Sequence, residues 1–137
     1  MITALDTNVL LDILLPNVEF CDTSATALEE SAIGGSLVIC DIVYAELCAY
    51  FQTQRQCDEF LQDSDIRAES LGRPASFLAS RIWRAYRLQG GKRNRILADF
   101  LIGAHAQLHA SRLLSRDRGF YQQMFPSLSL LDPAGDS

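Results

Sequence analysis

Two rhythms of apolar and polar positions alternate along the chain. Ile2 to Leu5 form a short, largely apolar run that stops at Asp6, after which Val9, Leu10, Ile13 and Leu14 recur at helical spacing. This predicts a buried strand, a tight turn and a helix. Pro16 breaks the pattern, and Asp22-Thr23-Ser24 opens a second helix that closes at Gly34-Gly35. Residues 36–40 read as a second buried strand, and Asp41 ends it and caps a third helix carrying Ile42, Val43, Leu47, Tyr50 and Phe51. A helical segment with Phe60 and Leu61 leads to a weak strand over residues 66–69. Arg73-Pro74 starts the next helix, since proline is tolerated in a first turn. Its apolar stripe is Leu78, Ala79, Ile82, Trp83 and Tyr86, and Gly90-Gly91 ends it. A further helix spans residues 96–110, and strands follow at 113–115 and 128–131. Strands separated by helices predict an α/β fold with a parallel sheet, helices on both faces and one domain over residues 1–137.

Composition narrows this picture. With 137 residues, 48% of them apolar and 21% charged, the chain suits a compact domain with a real core. No apolar run approaches the length of a membrane span, and no basic region precedes the N-terminal apolar stretch, so neither an anchor nor a signal peptide is expected and the expected location is cytoplasmic. Cys21, Cys40, Cys48 and Cys57 form no C-x-x-C pair and read as reduced, mostly buried thiols. The net charge of −5 works against nucleic-acid binding, but residues 81–95 hold six of the twelve basic residues and no acidic one.

Four carboxylates stand where a soluble fold has little structural use for them. Asp6 follows the first strand and Asp117 closely follows the fourth, and the carboxyl ends of strands are where ligands bind in open α/β sheets. Asp6 has a purely structural alternative as the cap of the first helix. Glu46 has Ile42, Val43, Ala49 and Tyr50 as helical neighbours, while Asp99 has Ile96, Ile102 and Gly103, with Arg95 as its only local partner. If the four converge, their repulsion raises their pKa values or demands a cation, and an all-oxygen set suits Mg²⁺ or Mn²⁺. Such a cluster fits metal-assisted phosphodiester hydrolysis. Thr7, Asn8 and Ser115 are then supporting polar groups. Lys92, Arg93 and Arg95 supply phosphate contacts, aided by Arg84 and Arg87, although Arg81, Arg84 and Arg87 also read as a solvated helix face. His105 and His109 are expected in packing or hydrogen-bonding roles, and Asp12 as a solvated polar position.

Residues 5–12 (LDTNVLLD), 43–47 (VYAEL), 96–106 (ILADFLIGAHA) and 113–121 (LLSRDRGFY) together resemble the PIN domain of VapC-type toxins, in that family's order and spacing. The resemblance implies a three-layer α/β/α fold around a parallel sheet of about five strands, and a Mg²⁺- or Mn²⁺-dependent endoribonuclease that is toxic by cleaving structured RNA. It further implies a homodimer and inhibition by a VapB-like antitoxin. The family's acidic quartet falls on Asp6, Glu46, Asp99 and Asp117, as catalytic groups and metal ligands, with Glu46 acting directly or through water. Lys92, Arg93, Arg95, Arg84 and Arg87 become the RNA-binding residues. Ser115 stands where many members carry Thr, which keeps the hydroxyl. Two rivals are a phosphatase of the haloacid-dehalogenase type and a catalytically silent PIN-like binding module. The first needs a second Asp where this chain has Asn8, and the intact quartet speaks against the second.

Overall fold

A computed structural model describes residues 1–91 and 95–135. Its elements run β1 (Ile2–Leu5), α1 (Thr7–Leu14), α2 (Cys21–Gly34), β2 (Ser36–Cys40), α3 (Asp41–Cys48), α4 (Gln54–Asp63), β3 (Ile66–Glu69), α5 (Gly72–Leu88), α6 (Leu97–His109), β4 (Arg112–Leu114), α7 (Arg118–Met124) and β5 (Leu130–Leu131). The five strands pair in parallel in the order β3-β2-β1-β4-β5.

Burial along the central strands explains the layering. Successive side chains of a strand point to opposite faces, yet Thr3, Ala4 and Leu5 are all buried, as are Leu37 to Cys40 and Leu113-Leu114. Both faces of the sheet are therefore covered, as a parallel sheet requires, giving a three-layer α/β/α arrangement. The edge strands β3 and β5 are less enclosed.

Several local expectations shift by one to three residues. The helix after Pro16 begins at Cys21, earlier than Asp22-Thr23-Ser24 suggested, because the Asn17 carboxamide already accepts the N–H groups of Glu19 and Phe20. Cys40, not Asp41, occupies the cap position of α3, and the Asp41 carboxylate instead accepts the Leu71 N–H at 3.1 Å. That helix stops at Cys48, leaving Tyr50 and Phe51 beyond it. The seven-residue α7 was not expected at all.

Two glycines are required where they stand. Gly90 adopts φ +80° just beyond α5 and turns the chain out of the helix. On α6, a Cβ added at Gly103 would lie 2.3 Å from the Phe125 ring, which is fully buried. Gly103→Ala is therefore expected to destabilise the protein by about 1–3 kcal/mol through overpacking. A denaturation midpoint equal to that of the wild type would show that the Phe125 ring yields without cost.

No helix among the described residues is long and apolar enough to cross a membrane. All four cysteines are free, with Cys40 and Cys57 buried and Cys21 and Cys48 half-buried. His105 is buried against His109, with Nε2 3.4 Å from a Glu69 oxygen but without a well-formed hydrogen bond. Burial lowers its pKa, which suits a neutral packing role.

Candidate acidic active site at the carboxyl edge of the sheet

The sheet order reverses direction between β1 and β4, and the crevice beyond their carboxyl ends is the expected ligand position in such a sheet. Asp6 sits there. Its N–H donates to the Leu114 carbonyl at 3.0 Å, extending the β1–β4 ladder one step into the crevice. Its Oδ1 accepts the Thr7 N–H at 2.8 Å, so Asp6 does cap α1. Its Oδ2 accepts the Ser115 hydroxyl at 2.7 Å and the Asn8 amide at 3.3 Å. The cap and the crevice carboxylate are thus one residue using two oxygens.

The polar groups around it interlock. Ser115 Oγ accepts the Asp117 N–H at 2.9 Å, and Asn8 Oδ1 accepts the Arg116 N–H at 3.2 Å, so the turn after β4 is tied to the turn after β1. Thr7 Oγ1 donates to Glu46 at 2.6 Å, drawing α3 to the same crevice. Asp99, in the first turn of α6, is close enough to Asp117, Glu46 and Asp6 for their charges to act on it. The fold therefore brings Asp6, Glu46, Asp99 and Asp117 to one edge.

Within that group, Arg95 is the internal counterion. Its guanidinium contacts Asp117 twice, at 2.5 and 3.2 Å, and lies 3.8 Å from Asp99. It also stacks over Phe120 at 4.4 Å from the ring centre. Among the described residues, no three His, Cys, Asp or Glu side chains converge as a ready-made metal nest. The donor set nevertheless fits a hard divalent cation, being all oxygen and charged, with its least solvated member short of a cationic partner among the described residues.

That member is Asp6. Burial pushes its pKa up to about 6, against the pull of the Ser115, Thr7 and Tyr121 hydrogen bonds, and Asp99 adds repulsion. Burial also raises Asp99, partly opposed by Arg95. A carboxyl whose folded-state pKa exceeds its unfolded value favours the native state at low pH, and this advantage fades as pH rises through the folded pKa. Metal-free wild type should therefore gain stability relative to Asp6→Asn as pH falls from about 6 towards 4, by up to roughly 3 kcal/mol. A pH-independent difference between the two proteins would show that Asp6 is not desolvated in this way.

Three residues near the site escape a linear reading. The Tyr121 hydroxyl, on α7, lies close to Asp6, and burial together with the nearby carboxylates holds its pKa well above the usual tyrosine range. Recognising α7 would have placed Tyr121 one turn beyond Asp117. Asp12 is not solvated: it is 3% exposed and receives Arg116 at 2.7 and 2.9 Å and the Ser24 hydroxyl at 2.7 Å. Arg116 pairs with a residue so far away in the chain that no local pattern reveals it.

Of the basic residues, Arg95 is half-buried at the carboxylates, whereas Arg84 and Arg87 are exposed on α5, with Arg87 stacked over Trp83. Lys92 and Arg93 lie outside the described residues.

Comparison with known proteins agrees with this architecture. No curated protein sequence matches the chain. Among solved structures, VapBC-1 from nontypeable Haemophilus influenzae superposes with a TM-score of 0.73 at 20% identity, covering 98% of this chain and 99% of that one. VapBC2 from Rickettsia felis, bound to a DNA fragment from its promoter, gives 0.70 at 22% identity, covering 96% and 98%. FitAcB from Neisseria gonorrhoeae gives 0.67 at 21% identity, covering 98% and 99%. At these identities the likeness is one of fold. The PIN domain family model matches residues 3–125, a span holding all four carboxylates together with Thr7, Asn8, Arg95 and Ser115, and the chain belongs to the PIN domain family.

Proposed function

We propose that the protein is a VapC-type toxin, a Mg²⁺- or Mn²⁺-dependent endoribonuclease that cleaves structured RNA. The supporting observation is the gathering of Asp6, Glu46, Asp99 and Asp117 at the carboxyl edge, with Asp6 fixed by the Ser115 hydroxyl at 2.7 Å. Asp6, Asp99 and Asp117 would hold the cation, with Glu46 reaching it directly or through water. The bound metal would polarise the scissile phosphate and lower the pKa of an attacking water. Ser115, Asn8 and Thr7 orient the carboxylates, and the Tyr121 hydroxyl lies close enough to Asp6 to favour its charged form. Arg95 is placed to meet phosphate, at the cost of its contact with Asp117.

The same geometry suits the rest of the reading. The carboxylates already accept one guanidinium, so a VapB-like antitoxin would inhibit by offering another from its tail. Residues 1–137 are read as a single domain, acting in the cytoplasm as a homodimer. A second reading, a silent PIN-like binding module, draws support from Arg95 standing on Asp117 and Asp99.

A single experiment separates the two. Mn²⁺ or Mg²⁺ is expected to raise the melting temperature of the wild type, as any ligand of the folded state does, and to switch on cleavage of RNA with discrete mapped ends. Asp6→Asn should lose most of the thermal gain. A melting temperature indifferent to either metal, together with intact RNA, would establish the silent module.

A further inference from the structure

Beside the carboxylates, α5 and the start of α6 enclose a pocket of about 430 Å³ whose walls include Trp83, Tyr86, Arg87, Arg95, Ile96 and Leu97. We infer that this pocket seats an unstacked nucleobase of the RNA next to the scissile phosphate, an inference that rests on the ribonuclease reading above.

Size, wall chemistry and position all point the same way. The volume lies in the range of small-ligand pockets and suits one nucleoside. Two aromatic rings line it. Tyr86 packs against the buried Phe100 at 5.5 Å between ring centres, which stiffens that wall, and the Arg87 guanidinium lies over the Trp83 ring at 5.0 Å. Aromatic faces and guanidinium planes are what proteins use to hold bases splayed out of RNA.

Arg95 belongs to both places: it forms part of the pocket wall and contacts Asp117 and Asp99. A nucleotide in the pocket therefore has its phosphate beside the carboxylates. Charge agrees, because residues 70–98 contain seven basic residues and no acidic one, and Arg81, Arg84 and Arg87 are exposed along α5. A peptide side chain would use Ile96 and Leu97 but offer no anion to the exposed Arg87 guanidinium. Three larger pockets have acidic walls that disfavour phosphate: one between α4 and β3 with Asp58 and Asp65 beside Arg67, one with Glu59 and Asp63, and one with Asp22 and Glu30.

Trp83 is the only tryptophan, so it reports directly on this pocket. The wild-type protein is titrated with a single-stranded oligoribonucleotide in EDTA, where cleavage is suppressed, while intrinsic fluorescence and the anisotropy of labelled RNA are read together. Saturable quenching that tracks binding is expected. Trp83→Ala should lose roughly tenfold or more in RNA affinity, the scale of one aromatic–base stack, while Trp83→Phe should retain most of it. Arg87→Gln should flatten the salt dependence by about one unit of slope or slightly less.

RNA that binds and is cut while Trp83 fluorescence stays constant overturns the pocket assignment and leaves the ribonuclease reading standing. Quenching by an arginine-containing apolar peptide but not by RNA overturns it in favour of a protein partner. RNA that is neither bound nor, with metal, cut removes the ribonuclease reading and this inference with it. The wild-type quenching result depends on no variant, so a misfolded Trp83→Ala protein cannot shield the inference.

Discussion

Asp99→Asn is expected to slow RNA cleavage by three orders of magnitude or more, on the order of 4 kcal/mol of lost transition-state stabilisation. Asparagine keeps the size and helix position of Asp99, so α6 and its packing should persist. What disappears is a charge that acts on Asp6, Glu46 and Asp117 and faces Arg95 at 3.8 Å. Metal affinity should fall with it. RNA binding should hold or tighten, because a repulsive charge leaves the phosphate path. Single-turnover cleavage and anisotropy on one preparation check both halves, and a variant that cleaves within tenfold of wild type would exclude Asp99 from the chemistry.

The second large effect lies outside the chemistry. Arg116→Ala should cost about 3 kcal/mol of stability, the low end for breaking a buried pair, because Arg116 keeps about a quarter of its side chain in water (28% exposed) whereas Asp12 keeps 3%. Asp12 would be left with the Ser24 hydroxyl alone. The variant also loses the stacking of the guanidinium over Phe20, 4.0 Å from the ring centre. Urea unfolding should show a lower midpoint at an unchanged slope, and the melting temperature should drop by about 10 °C. Replacing both partners together with well-packed apolar residues should restore much of the loss, since what the single change exposes is an unpaired buried charge. An Arg116→Ala midpoint within about 0.5 kcal/mol of wild type would mean that water reaches Asp12 readily.

These two residues also mark the boundary of what a linear reading reaches. Asp99 was legible because a carboxylate between Ile96 and Ile102 violates helical patterning, and such violations can be seen one turn at a time. The strands were legible for a similar reason: runs such as Leu37-Val38-Ile39 are apolar on both faces only when both faces are covered. The Asp12–Arg116 pair violates nothing locally. Asp12 follows Asn8 by one turn on a helix, and its partner stands 104 residues away. Tyr121 was missed with α7, whose seven residues include Gly119 and lack a side-chain cap, so neither propensity nor capping signals it. The reach of Arg95 back to Asp117 is likewise a tertiary fact, although its spacing to Asp99 announced half of the arrangement.

The sheet order carries a consequence for the making of the protein. β1, built from Ile2–Leu5, is the middle strand, and its two neighbours are β2 and β4. Asp6 leaves the ribosome well before Ser115, whose hydroxyl fixes it from 109 residues further on. Until the region of β4 has been translated, the middle strand has one side unpaired and the acidic crevice has only one wall. Pairings of such long sequence separation close slowly and late. The acidic crevice is thus unfinished for most of the chain's synthesis, and any chemistry it performs begins only when the last third of the chain has folded back onto the first strand.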